Sequence, residues 1–239
     1  MNLSRIARRR DSVARVKPRE LLRTAQIPGG DELRLYKRDT DFIIALGANE
    51  LMSSRLSGSE EALALLTIDR LQNQDTPHLL IGGYGMGFTL RAALARLGVQ
   101  ARLTVVELLP EIIEWARGPM AELAAGCLDD PRVDLIMRDV SRAIAATHER
   151  RYDAILLDVD NGPDGLTRAD NDHIYSLLGL QEAKAALKPG GVLAIWSAAP
   201  DERFARRLKH AGFQVEEVMV RAGRGGKGAR HIIWFARAP

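Results

Sequence analysis

The stretch that most constrains the fold is LLIGGYGMGFTL, residues 79–90, in which four glycines fall within six positions. An apolar run precedes the glycines and a helix-forming run follows them. Glycine loses more backbone freedom on folding than any other residue, so such a cluster indicates a sharp turn or a close approach. A strand that passes through glycines into a helix is typical of loops that hold a nucleotide-type ligand, since helix N–H groups point at the ligand.

The composition is that of a globular protein: of 239 residues, 46% are hydrophobic and 27% are charged. The single cysteine, Cys127, excludes an internal disulfide and favours a reducing compartment. No apolar run approaches the roughly 20 residues of a membrane span, and no apolar segment follows the basic N-terminus as it would in a secretory signal. We therefore expect a cytoplasmic protein.

Residues 1–30 carry much of the positive charge of the chain, whose net charge is +3. No aromatic residue that could stack on bases is interleaved with these cations. A solvated, partly disordered leader is therefore favoured over a nucleic-acid-binding arm, which remains the alternative. The basic residues are Arg5, Arg8, Arg9, Arg10, Arg15, Lys17, Arg19 and Arg23.

Residues 31–56 predict a small β-hairpin region. Two strand-like runs in LRLYKRDTDFIIALGANELM, residues 33–52, flank a polar turn at 37–40. Ser57 and Glu60 are three positions apart and predict a capping box. We expect the helix that follows to reach about residue 73, before a stop at 75–77.

From residue 78 onwards, strand-like and helix-like segments alternate, which predicts βαβ units and a mainly parallel sheet. The run YDAILLDVD, residues 152–160, is almost entirely apolar and suits a sheet covered on both faces. Two strands without a helix between them close the chain and predict an antiparallel pair. The seven predicted strands are 78–83, 101–107, 133–139, 152–160, 192–197, 213–220 and 231–238.

Acidic residues stand at the predicted carboxyl ends of the strands that neighbour the glycine loop. Glu107 lies 20 residues beyond Gly87, where a carboxylate can accept hydrogen bonds from both ribose hydroxyls. Asp139 either meets the adenine amino group or caps the next helix, and both interpretations stay open. Ligands bind outside the carboxyl ends of parallel strands, so these positions predict an adenosine-type ligand.

The predicted ligand contacts extend to the neighbours of these residues. We expect the side chain of Tyr84 to lie over the ligand or to cap the pocket. The candidate cofactor-binding residues are Gly82, Gly83, Tyr84, Gly85, Gly87, Glu107, Leu108, Arg138, Asp139 and Val140.

Five segments together resemble the successive motifs of the spermidine synthase group, a branch of the class I S-adenosylmethionine-dependent methyltransferase fold. They are LLIGGYGMGFTLRAAL, VVELLPEIIEWAR, VDLIMRDVSRAI, RRYDAILLDVDNGP and YSLLGLQEAKAALKPGGVLAIWS. The resemblance covers roughly residues 33–239. It implies a Rossmann-like α/β domain over residues 57–239 that binds the nucleoside and is catalytic, a small β-region before it, and a homodimer.

The resemblance also implies a reaction, the transfer of an aminopropyl group from decarboxylated S-adenosylmethionine to a polyamine. Asp158 stands at the position of the family's catalytic aspartate. A carboxylate there can orient the attacking amine and accept its proton, while the sulfonium donor needs little beyond positioning. Asp160 and Asn161 are candidates for binding the far end of the acceptor, and Trp196 is a candidate wall of the acceptor pocket.

Gly85 departs from the family pattern, because the family carries an acidic residue there that holds the amine of the aminopropyl group. A glycine loop at a helix N-terminus would also accept the carboxylate of ordinary S-adenosylmethionine. The family's acceptor-side tyrosines and glutamine are not evident after the hairpin either. Methyl transfer to a small molecule or RNA therefore remains the alternative, and a non-catalytic nucleoside binder is a third possibility.

We expect no metal. A metal-dependent methyltransferase needs oxygen ligands from two neighbouring strand ends. Asp158 and Asp160 could supply one side, but the strand at 192–197 is followed by no carboxylate until Asp201.

Overall fold

A computed structural model describes residues 18–27, 31–147, 151–159 and 172–239, apart from the side chains of Asp172 and Arg224. These residues form a four-stranded N-terminal sheet and a seven-stranded sheet. Among the described helices, none is long and apolar enough to cross a membrane.

The N-terminal sheet is fully antiparallel, and its strands follow one another in sequence order. The predicted hairpin is present as its two central strands, which turn at Asp39 and Thr40. One further strand extends it on each side. The four strands are β1 (Glu20–Gln26), β2 (Glu32–Arg38), β3 (Asp41–Leu46) and β4 (Asn49–Ser53).

Strand β1 lies within the segment 1–30 that we expected to be a partly disordered leader. Because it begins at Glu20, the structure corrects that expectation for the residues of β1. Only Ala25 of its seven residues is buried. An edge strand with so little burial lacks the alternation of apolar and polar residues that identifies a strand in sequence. Residues 1–17 and 28–30 lie outside the described residues, so the expectation for them stays a prediction.

The seven-stranded sheet confirms the predicted fold class. The strands are β5 (His78–Gly82), β6 (Arg102–Glu107), β7 (Val133–Met137), β8 (Tyr152–Leu157), β9 (Leu187–Ser197), β10 (Gln214–Gly223) and β11 (Lys227–Arg237). Their order in the sheet is β10-β11-β9-β8-β5-β6-β7, in which β5 to β9 are parallel and β11 is antiparallel to both of its neighbours.

Helices cover this sheet on both faces, as the apolar strands predict. The helices are α1 (Gly58–Ile68), α2 (Phe88–Arg96), α3 (Pro110–Arg117), α4 (Ala121–Ala124), α5 (Val140–Ala145), α6 (Asp172–Tyr175), α7 (Leu177–Ala186) and α8 (Glu202–His210). Along β5, Leu79 and Ile81 point into the core that contains α1 to α3 and the N-terminal sheet, while Leu80 points into the core formed with α5, α7 and α8.

The start of α1 differs from the predicted capping box. Ser57 makes no side-chain cap, and its hydroxyl bonds to Oε1 of Glu61 at 2.9 Å instead. The carboxylate of Glu60 is held by Ser59 at 2.6 Å. Because Glu60 does not turn back to the helix start, its carboxylate is free to face the carboxyl edge of the large sheet.

Candidate functional site

The carboxyl ends of β5, β6 and β8 meet at one edge of the large sheet, and the N-terminal sheet closes over them. The space between the two sheets is a cavity, here called the first cavity. The N-terminal sheet and its flank contribute an apolar wall of Ile27, Leu33, Ile44, Leu51 and Met52. The large sheet contributes Gly83, Gly85, Val106, Glu107, Leu108, Leu109, Ile112, Arg138, Asp139, Val140, Asp158 and Val159.

The glycine loop fits its position because side chains have no room there. Gly83, Gly85 and Gly87 have φ angles of 85°, 55° and 78°, in the left-handed region that favours glycine. A Cβ on Gly83 would lie 2.6 Å from the carbonyl oxygen of Asp158, and one on Gly82 would lie 2.7 Å from Cγ2 of Val140. The loop therefore passes directly against the end of β8, which brings Asp158 to the cavity.

Glu107 is buried at the end of β6 and ties that strand to the glycine loop. Its carboxylate accepts backbone N–H bonds from Tyr84 at 2.9 Å, Leu108 at 2.8 Å and Leu109 at 2.9 Å. Burial raises the pKa of Glu107, and these N–H groups oppose that shift by stabilising the ionised form. Glu107 lines the cavity where we expect the ribose, and the ribose contact itself stays a prediction.

Tyr84 does not line the first cavity but lines the second, and its contact with a ligand stays a prediction. The ring is buried in the core, and its hydroxyl lies 3.5 Å from Sγ of Cys127. A Cβ on Gly87 would come within 2.7 Å of that hydroxyl, so the ring packs behind the loop and fills the space that Gly87 leaves. Burial raises the pKa of the Tyr84 hydroxyl, which stays protonated.

Asp139 caps α5, which is one of its two predicted roles. Its carboxylate accepts the backbone N–H groups of Ser141 at 2.9 Å and Arg142 at 3.2 Å. The residue still lines the first cavity together with Arg138 and Val140. A contact with adenine stays a prediction.

Asp158 stands at the boundary between two cavities. The first cavity adjoins a second cavity, and the two share four lining residues, Leu51, Met52, Gly85 and Asp158. Burial, together with the charge of Glu60, raises the pKa of Asp158 to about 7. A carboxylate with that pKa can accept a proton near neutral pH.

The second cavity contains Trp196, where we expected a wall for an acceptor. The Trp196 ring meets the ring of His231 edge to face, with the centroids 4.7 Å apart. The other candidates for this region, Asp160 and Asn161, lie outside the described residues. Besides the shared residues, the second cavity is lined by Glu50, Ser53, Leu56, Glu60, Tyr84, Met86, Phe88, Thr89, Trp196, Ala198 and His231.

The site residues predicted from the sequence did not include Glu60 or His231. Glu60 matched a capping signal, which accounted for it without a ligand, and His231 stands in a strand without any motif around it. Their relation could have been found only from the approach of β11 to α1, which no local pattern encodes.

Among the described residues, no group of three or more His, Cys, Asp or Glu side chains is placed to hold a metal ion.

The chain is similar in sequence to curated polyamine aminopropyltransferases. It is 31% identical over 127 residues to that of Sulfolobus acidocaldarius, an alignment that covers 53% of this chain and 40% of the relative. It is 34% identical over 145 residues to polyamine aminopropyltransferase 2 of Pseudomonas aeruginosa, covering 57% of this chain and 39% of the relative. The matched segments thus span about two fifths of these relatives. No protein-family model matches the chain.

Solved spermidine synthases share the fold. The enzyme from Thermotoga maritima superposes with a TM-score of 0.73 at 19% identity, covering 92% of this chain and 73% of that one. A spermidine synthase in complex with the transition-state analogue AdoDATO gives a TM-score of 0.72, also at 19% identity, and covers 92% and 72%. The resemblance to spermidine synthases inferred from the motifs is therefore confirmed, in sequence over part of the chain and in fold over most of it.

Proposed function

We propose that this protein is a transferase that moves an aminopropyl group from decarboxylated S-adenosylmethionine to a polyamine acceptor. The observation that carries the proposal is the position of Asp158, a carboxylate with a raised pKa at the boundary of two cavities. One cavity has the glycine loop and Glu107 for a nucleoside, and the other is lined by carboxylates that suit a cationic amine. The similarity to polyamine aminopropyltransferases supports the same reaction.

The first cavity is the proposed donor site. Glu107 and Leu108 would hold the ribose, and Arg138, Asp139 and Val140 would surround the adenine. Gly83 and Gly85 would let the sulfonium end approach the backbone closely. The apolar wall from the N-terminal sheet excludes water from the donor, which strengthens electrostatic interactions within the site.

The second cavity is the proposed acceptor site. An ammonium group of the acceptor loses one proton to Asp158, and the free amine then attacks the aminopropyl carbon next to the sulfur. The N–C bond forms while the C–S bond breaks. The sulfur keeps the electron pair, so that neutral methylthioadenosine leaves and the product amine carries the positive charge. Trp196 would pack along the acceptor, and Asp160 and Asn161 remain candidates for its far end.

Methyl transfer from S-adenosylmethionine is the second candidate function, and one observation favours it. Gly85 carries no acid to hold the amine of a decarboxylated donor, and Met52 fills the adjoining space. The same fold serves both reactions, so the fold does not separate them.

Product analysis separates the two reactions. The protein would be incubated with decarboxylated S-adenosylmethionine and 1,3-diaminopropane, 1,4-diaminobutane or spermidine, and in parallel with S-adenosylmethionine. We expect methylthioadenosine and an aminopropylated amine by mass spectrometry, with a loss of about 100-fold or more in Asp158→Asn. Formation of S-adenosylhomocysteine without methylthioadenosine would overturn the proposal in favour of methyl transfer.

A further inference from the structure

Glu60 is one of three carboxylates that line the cavity containing Asp158, and it comes from a different part of the chain than Asp158. It lies in the first turn of α1, whereas Asp158 follows β8. The hydroxyl of Thr89 connects the two segments. Its oxygen lies 3.4 Å from Oδ2 of Asp158 and 3.4 Å from the backbone carbonyl oxygen of Glu60.

A chain of hydrogen bonds holds the Glu60 carboxylate in place. The buried hydroxyl of Ser59 donates to Oε2 of Glu60 at 2.6 Å, and Nδ1 of His231 lies 2.9 Å from the same hydroxyl oxygen. Because the Ser59 proton goes to Glu60, His231 donates from Nδ1 to Ser59. Burial lowers the pKa of His231, so that its imidazole stays neutral at pH 7.

Two of the three carboxylates that line the second cavity, Glu60 and Asp158, form no ion pair with a lysine or arginine among the described residues. The third, Glu50, pairs with Arg19 at 2.8 Å. Among the described residues that line it, none is a lysine or an arginine. Arg55, which follows the hairpin and would repel a polyamine, pairs instead with Asp41 at 3.4 Å. Two partly desolvated carboxylates that face one cavity repel each other, and a bound cation would relieve that repulsion.

An independent observation also points to a ligand in this cavity. Ser53 and Trp196 both line it and are only 5% and 8% exposed. The hydroxyl oxygen of Ser53 and Nε1 of Trp196 are buried and have no hydrogen-bond partner among the described residues. Buried polar atoms are nearly always paired, so each of these two atoms lacks a partner that water or a ligand in the cavity would supply.

We propose that Glu60 is a substrate-binding residue that holds the reacting ammonium group of the acceptor together with Asp158 and Ser53. This inference rests on the proposed function. A primary ammonium has three N–H donors, and these three side chains offer three acceptors. After one proton passes to Asp158, Glu60 and Ser53 hold the remaining two and leave the nitrogen lone pair for attack. The site would thus select a primary amine.

The test compares Glu60→Gln with Glu61→Gln, the same substitution one residue further along α1, where the side chain lines a different groove. We expect Glu60→Gln to raise the KM for 1,4-diaminobutane by about 10- to 100-fold, since a hydrogen bond to a charged group is lost. The KM for decarboxylated S-adenosylmethionine should change less than about twofold, as should both KM values in Glu61→Gln. Ser53→Ala should raise the acceptor KM as well.

Calorimetry tests this inference independently of the proposed function, because it measures binding of the diamine rather than catalysis. Binding of 1,4-diaminobutane to the complex with methylthioadenosine needs no turnover and should be weakened by Glu60→Gln. If the wild type forms no methylthioadenosine yet binds the diamine through Glu60, the proposed function fails and the inference stands. The inference is overturned if Glu60→Gln leaves the acceptor KM unchanged, if it raises only the donor KM, or if the wild type does not bind the diamine.

Discussion

Met52 covers Gly85. A Cβ on Gly85 would lie 3.0 Å from Sδ and 3.1 Å from Cε of Met52, which reaches the glycine loop from β4. The space that the family's acidic side chain would take is thus filled by a thioether from the N-terminal sheet. The glycine at position 85 and the methionine at position 52 therefore belong to one structural feature, which makes this part of the boundary between the two cavities apolar, while Asp158 provides its charged part.

Gly85→Asp should weaken nucleoside binding when made alone. The new carboxylate would displace Met52 and be desolvated against it, so we expect about a tenfold loss of affinity for methylthioadenosine by calorimetry. In Gly85→Asp with Met52→Ala, the acid has room, and the preference for decarboxylated over ordinary S-adenosylmethionine should increase. Met52→Ala alone is the control. Unchanged affinity in the single Gly85→Asp variant would show that Met52 does not limit this position.

The pH dependence of kcat/KM should report the interaction between Asp158 and Glu60. Asp158 must be ionised to accept a proton, and its pKa of about 7 predicts activity that rises with pH through neutrality. Glu60→Gln removes a negative charge, so the pKa of Asp158 should fall. The acidic limb of the pH profile, in which kcat/KM rises with pH, should then move to lower pH. The other titratable groups lining the two cavities are Glu50, Tyr84, Glu107, Arg138, Asp139 and His231.

This shift distinguishes an electrostatic effect from a loss of folding, which would lower the rate without moving the limb. Glu61→Gln provides the control and should leave the limb in place. An acidic limb at the same pH in wild type and Glu60→Gln would mean that the two carboxylates do not interact.

Asp158→Asn should change how stability depends on pH. The folded protein holds a proton on Asp158 up to about pH 7, whereas the unfolded chain releases it near pH 4. Stability from this group is therefore present at low pH and lost as the pH rises through 7. Asn cannot ionise and so does not lose this stability. The free energy of unfolding of the variant, measured in urea relative to that of the wild type, should therefore increase between pH 5 and 8 by on the order of 2 kcal/mol. A difference that is constant with pH would contradict the raised pKa.

The fold was predictable because its signal is local and repeated. Each parallel strand contains a short apolar run and precedes a helix in the chain, and β8 is buried along its whole length. Strand β1 was missed because almost all of its side chains are exposed. At edge strands, hydrogen bonding to the neighbour rather than apolar burial determines the structure.

The two sides of the site differ in how far they could be predicted. In the first cavity, Glu107 and Asp158 stand at the ends of parallel strands, so their convergence follows from the topology. The orientation of Tyr84 did not follow, since a ring flanked by left-handed glycines can point either way along the chain. In the second cavity, Glu60 and His231 are linked through Ser59. The hydrogen bond between Ser59 and His231 joins α1 to β11 across 172 residues of sequence.

Gly83 and Gly47 offer a matched test of the close approach at the glycine loop. Both have a left-handed φ, 85° and 57°, so an alanine at either position carries the same kind of backbone strain. A Cβ on Gly47 would meet no atom within 4 Å, whereas one on Gly83 would lie 2.6 Å from the carbonyl oxygen of Asp158. Gly47→Ala should therefore cost about 1 kcal/mol of unfolding free energy.

Gly83→Ala should cost at least about 2 kcal/mol more than that, because the loop or the end of β8 has to move. It should also abolish binding of methylthioadenosine, which Gly47→Ala should leave unchanged. Urea unfolding and calorimetry on the two variants measure both effects. Equal destabilisation by the two substitutions would show that left-handed strain alone explains Gly83 and that its packing against Asp158 contributes nothing.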